Sequence, residues 1–214
     1  NKLILLLQLF NSKSCGLVLG AAAIQTAGLK NINVTHLALA SQSLGLVISQ
    51  IPVIRAALIK HIPPKHQMLL DNFNNVKGDY AQHQREIFNK LVQIILQLTE
   101  NAMKKIVDSD WARGQTPPNV KVEKNIKVLM GQTASMHNKL SRLIDQQQRD
   151  DIFRRIADVF SKTSQKYFST LFKNGNDPIK RKISAQIQHI LSRLRGLTGL
   201  DKETCKDLEA LVMS

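Results

Sequence analysis

Aromatic side chains are scarce in this chain of 214 residues, which has seven Phe, two Tyr and one Trp. Strand patterns are almost absent. Glycine and proline, ten and six in number, fall in clusters and not at the short regular spacing of a sandwich or barrel. Leu, Ile, Lys and Gln dominate instead, which is the composition of long helices. Only two cysteines occur, Cys15 and Cys205, far apart and each without a second cysteine nearby. That spacing argues against a metal knuckle or a redox pair, and a reducing, intracellular compartment is the simplest reading, with one long-range disulfide as the alternative. Carboxylates are missing from the first seventy residues, where Asp71 is the first acid. A stretch so poor in charge reads as buried within a longer assembly. Residue 1 is Asn, and Lys2 to Phe10 already follow an apolar helical register, so the chain is expected to be a fragment.

No spanning helix is expected. The uncharged stretch from Asn31 to Gln50 is interrupted by Asn33, Thr35, His36, Ser41, Gln42, Ser43 and Ser49, whereas a bilayer needs about 20 predominantly apolar residues. Leu3 to Phe10 and Gly16 to Leu29 are too short or too small in side chain, and their flanks lack a signal-peptide layout.

The periodicity predicts an all-α fold. A first helix is expected from Lys2 to Ser12 and a second from Gly16 to Ala27, closed at Gly28. Thr35 is the predicted N-cap of a third, which meets a kink or break at Gln50 to Pro52. From Lys65 to Asp108 apolar residues recur at steps of three and four, with one polar lapse at Gln84, and the phase survives Gly78. A helix of that length would run to about 65 Å, beyond the ~45 Å diameter of a compact globule of this size. An elongated stack of antiparallel helical hairpins follows, a helical rod. Ala112 to Asn119, with its Pro117-Pro118 pair, is the clearest linker, so the expected organisation is 1–111, a rod segment with the long helix; 112–119, the linker; and 120–214, a helical bundle packed end to end with the first. Within that bundle helices are expected over Val120 to Ile144, Gln148 to Phe172 and Ile179 to Arg195. Asn174 to Pro178 forms a stop and restart, Gly196 and Gly199 close the third helix, and Asp201 caps a last one.

Catalytic chemistry finds no support. None of His36, His61, His66, His83, His137 and His189 belongs to a zinc-binding pair, and neither a nucleophile elbow nor a phosphate loop is present. Asp79, His83 and Glu86 lie about one turn apart on the long helix, a row better read as solvated or as an interhelical hydrogen-bond row than as an acid/base face. No enzyme, catalytic residue, metal, cofactor or small-molecule substrate is expected. The formal charge of +14 calls for an acidic partner. The candidate contacts to an anionic surface are Lys104, Lys105, Arg154, Arg155, Lys180, Arg181 and Lys182. Nucleic acid is the rival ligand, disfavoured because the bases are not interleaved with aromatics and no reader motif stands out.

Val18-Leu-Gly-Ala21, Thr26-Ala-Gly-Leu-Lys-Asn-Ile32, Leu37-Ala-Leu-Ala-Ser41 and Ile51-Pro-Val-Ile-Arg55, followed by Lys77, Asp79-Tyr80, His83, Glu86-Ile87 and Lys90-Leu91, resemble the C-terminal region of the Vps fifty-four subunits of the Golgi-associated retrograde protein (GARP) tethering complex. The blocks cover residues 14 to 91, with Met136-His137 a weaker echo, and the last fifty residues match in character alone. The resemblance implies a rod fold of the multisubunit tethering type and capture of endosome-derived vesicles at the trans-Golgi network. Its implied partners are the other subunits, SNARE proteins and vesicle factors. It implies a peripheral location on the cytosolic face of the trans-Golgi network and endosomes, and no catalytic residue.

Overall fold

The computed structural model describes residues 2–20, 22–26, 30–197 and 206–213. The expected helix ends at Ala27 and Gly28, the closing Gly199 and the capping Asp201 lie outside the described residues. Among those described, the backbone is helical with no strand. The helices are α1 (Lys2–Val18), α2 (Ala22–Thr26), α3 (Val34–Ile59), a 3-10 stretch (Pro64–Asp71), α4 (Asn72–Val107), α5 (Lys124–Leu140), α6 (Gln146–Asn174), α7 (Asp177–Arg195) and α8 (Lys206–Met213). The chain forms two compact units, 1–91 and 92–214.

In the first unit α1 runs through Gly16, where the sequence suggested a boundary between helices; a Cβ there would meet nothing within 4 Å. The interruption falls at Gly20 instead. Its amide, like that of Leu19, turns back to the Cys15 carbonyl, and a Cβ would sit 2.7 Å from the Gly16 oxygen, so only glycine fits. The N-cap of α3 is Asn33 and not Thr35. Asn33 Oδ1 accepts from the Thr35 and His36 amides at 2.9 and 3.2 Å, while His36 Nδ1 accepts from the Asn33 amide at 3.3 Å. One short amide side chain thereby satisfies two orphan donors, which Thr35 could not do from inside the first turn.

α3 continues through Pro52 without a break. By length and composition it is the one described helix long and apolar enough to cross a membrane, where the sequence reading expected none. Its stripe of Leu37, Ala38, Ser41, Leu44 and Ile51 is buried within the unit. The polar lapse at Gln84 also acquires a reason. Its Nε2 donates to the Ser41 carbonyl at 2.9 Å, close to Gly45, so α4 docks on α3 where the latter has no side chain. The expected long helix is unbroken at Asn74, Asn75 and Gly78, but residues 64–71 before it wind as 3-10.

In the second unit the stop and restart at Asn174 to Pro178 is observed. Asn176 Oδ1 accepts from the Ile179 amide at 3.2 Å, and Pro178 occupies the first turn of α7, where a missing amide hydrogen costs nothing. Asp145 caps α6 in the same way, through the Gln148 amide. α6, α7 and α8 pack on one another, and α5 packs on α6 and α7. Ile152, Phe153, Ile156 and Phe160 of α6 and Ile183, Ile187, Ile190 and Leu194 of α7 are fully buried, each set recurring at three- and four-residue steps.

Candidate interaction surfaces

Three surfaces hold the residues from which function could arise. The first is a cleft between α1 and α4, lined by Asn11, Ser12, Cys15, Asp79, His83 and Glu86. His83 Nδ1 donates to Asn11 Oδ1 at 2.9 Å, and the Tyr80 hydroxyl one turn earlier donates to the Leu7 carbonyl at 2.7 Å. The row is an interhelical clamp. Burial, reinforced by the Glu86 charge, pushes the Cys15 thiol above its ordinary value, which keeps it protonated and a poor nucleophile. Burial also pulls His83 below the usual 6.5, against the opposing effect of Glu86, and leaves its Nε2 without a donor or acceptor.

His137 and His189 in the second unit are lowered as well. Burial is the main cause for both, followed by Arg149 for His137 and by Arg193 and Lys127 for His189. All three imidazoles bind a proton less readily in the folded chain than in the unfolded one. Stability is therefore full above the unfolded value of 6.5 and falls as pH drops through it towards the folded-state values. Denaturant midpoints measured by circular dichroism are expected to be lower at about pH 5.5 than at about pH 7.5; equal midpoints would show that the histidines do not govern the acid response.

The second surface comprises the basic residues. Lys104 and Lys105 are exposed in the last turn of α4, where cations also complement the helix dipole. On α6, Arg154 is exposed, 3.8 Å from Asp151, and Arg155 is half-buried. On α7 the run is divided: Arg181 is exposed, the Lys180 ammonium lies 5.7 Å from the Phe172 ring centre, and Lys182 is 1% exposed. Lys182 Nζ donates to Asn119 Oδ1 at 3.0 Å, to the Lys121 carbonyl at 2.5 Å and to Glu123 Oε1 at 2.7 Å, and it lies 5.5 Å from the Trp111 ring centre. With all three of its donors engaged inside the protein, its charge is not offered to an outside surface. Sequence reasoning missed this because a three-residue basic run looks uniform until the helix turns each member a different way.

The third comprises two exposed apolar stripes of the first unit, one on α1 and one on α3. Leu5, Leu6, Leu9 and Phe10 of α1 are 53 to 62% exposed, and α1 has no buried residue. Leu39, Leu46 and Val53 of α3, at seven-residue steps, are 44, 63 and 60% exposed. The seven-residue spacing could have been noticed in the sequence; the exposure could not.

The family model described as a Vps54-like protein matches residues 1–98. Human vacuolar protein sorting-associated protein 54 is 34% identical over 205 residues, which cover 95% of this chain and 20% of that protein. The protein of that name from Arabidopsis thaliana, designated chloroplastic, is 32% identical over 198 residues, covering 89% of this chain and 19% of its own length. The Drosophila melanogaster protein is 25% identical over 199 residues, 92% of this chain and 19% of its own length. Similarity thus extends well beyond the blocks between residues 14 and 91, and the chain spans about a fifth of the length of these curated relatives. No solved structure matches it.

Proposed function

We propose, from the premise that this chain belongs to the Vps54-like protein family, that it is a helical segment of a tethering subunit in vacuolar protein sorting, acting by binding and spacing and not by catalysis. The observation that carries this reading is the apolar face of the first unit. Seven large hydrophobic side chains on two packed helices are left to water, an arrangement that marks a contact surface and not a resting one. Leu39, Leu46 and Val53 drift by only about 20° per seven-residue step, so they present one seam to an opposing helix. Its occupant is taken to be amphipathic helix from the remaining four fifths of the family polypeptide.

In this reading the segment works within a complex with other subunits, peripheral to membranes, and supports the capture of endosome-derived vesicles at the trans-Golgi network. SNARE proteins and vesicle factors are the partners, and the exposed bases Lys104, Lys105, Arg154 and Arg181 face anionic lipid at about 1 kcal/mol each.

The test substitutes Leu46→Lys together with Val53→Lys, two exposed positions at which helix content is retained. The wild-type chain is expected to bind the separately expressed remainder of the family polypeptide, and the double variant to bind it about tenfold or more weakly, as burying two lysines in an apolar seam requires. Equal retention of both, with unchanged circular dichroism, would refute the assignment of this face.

A further inference from the structure

The second unit holds a cleft of about 570 Å³ between α5 and α7, lined by Lys127, Met130, Gly131 and Ala134 on one side and by His189, Ser192, Arg193, Gly196 and Leu197 on the other. Positions 127, 130, 131 and 134 and positions 189, 192, 193 and 196 follow the same i, i+3, i+4, i+7 spacing, so each helix gives one face to the cleft. The small residues keep it open: a Cβ at Gly131 would meet nothing within 4 Å. Among the described lining residues the charge is of one sign. Lys127 and Arg193 supply two fixed cations and His189 a third basic group, while no carboxylate lines the walls among the described residues. Burial, then the Arg193 and Lys127 charges, hold His189 below its ordinary value.

We infer that this cleft is a binding site for a phosphomonoester carried on a small polar ring. A phosphate offers two negative charges and several acceptor oxygens to the planar fork of Arg193, the ammonium of Lys127 and an imidazole N–H of His189. The Lys127 and Arg193 cations repel one another, and a dianion relieves that repulsion where a neutral ligand does not. The volume sets the second half of the assignment. Bare phosphate fills a small part of it, which leaves room for a ring-sized substituent beside Met130 and Leu197. The cleft belongs to the second unit, and none of its lining residues is among those assigned to the tethering role.

Calorimetric titration of the 214-residue chain with inositol monophosphate, inorganic phosphate and inositol tests it. Saturable binding of inositol monophosphate, weaker binding of phosphate and none of inositol are expected. Lys127→Ala combined with Arg193→Ala removes two exposed charges and is expected to weaken binding about tenfold or more. Gly131→Leu fills the cleft with every charge intact and is expected to weaken it as well, whereas Lys162→Ala with Lys173→Ala, two exposed lysines of α6 that do not line the cleft, is not. Absence of saturable binding, equal weakening by the Lys162 and Lys173 pair, or indifference to Gly131→Leu would each overturn the site. Preference for a phosphoserine peptide over the ring phosphate would overturn the ligand class. Phosphatidylcholine vesicles carrying phosphatidylinositol monophosphate distinguish the source: tighter retention on vesicles than on free inositol monophosphate assigns a lipid headgroup, and equal affinity assigns a soluble one.

Discussion

Replacing Lys182 with alanine is expected to lower the stability of the second unit by about 2–3 kcal/mol, a shift of about 1 M in the urea midpoint. An ammonium at 1% exposure has lost its hydration, and the three oxygens of Asn119, Lys121 and Glu123, with the Trp111 ring beside them, offset that loss. All three acceptors belong to the stretch between α4 and α5. The same stretch is tied to α7 a second time, because Gln186 Oε1 accepts from the Glu123 amide at 2.7 Å and Gln186 Nε2 donates to the Lys121 carbonyl at 3.3 Å. The alanine variant therefore loses the charge, the buried methylene stem and the anchor of the loop together. Lys182→Met retains the stem, and Glu123, 30% exposed, can recover water, so about half the loss is expected to return. Trp111 is the only tryptophan and lies against Lys182, which makes its fluorescence a direct reporter. An alanine variant within about 0.5 kcal/mol of wild type would mean that the loop is held by something other than this ammonium.

Phe153→Ala is expected to cost more, about 4 kcal/mol, and to lower the thermal midpoint read at Trp111 by about 10 °C. Phe153 is fully buried on α6, and its ring meets the edge of His137 on α5 with centres 4.9 Å apart and planes at 78°. Truncation leaves a cavity where two helices join and removes an edge-to-face contact worth about 0.5–1.5 kcal/mol. It also uncovers His137, whose proton affinity burial holds down. The variant should accordingly lose less of its remaining stability on acidification than wild type does. A loss below about 1 kcal/mol would show that the neighbouring side chains close the gap, and an unchanged acid response would remove Phe153 as the cause of the His137 shift.

Much of the fold was legible because helix faces repeat. The stripe through Ile183, Ile187, Ile190 and Leu194 announces both the helix and its buried side, and Asn176 with Pro178 marks its start. Errors collected where one residue type has two uses. Gly16 read as the start of a second helix and is an ordinary residue inside the first, while Gly20 terminates because a backbone oxygen stands where its Cβ would be. Thr35 read as the cap, but Asn33 has the side chain that reaches both free amides. Of the candidate site, the excess of basic residues was plain and their fates were not.

The sequence by itself determined that the chain is helical, where most helices begin and end, which side chains recur on one face, and a family likeness strong enough to survive comparison. These are properties of local spacing, set by the 3.6-residue turn and by capping within a few residues. Tertiary structure alone decided which lysine of a basic run is buried, which apolar stripe stays uncovered, and that Lys127 and Arg193, sixty-six positions apart, line one cleft. Burial and convergence depend on which helix lies beside which, and no local pattern carries that information.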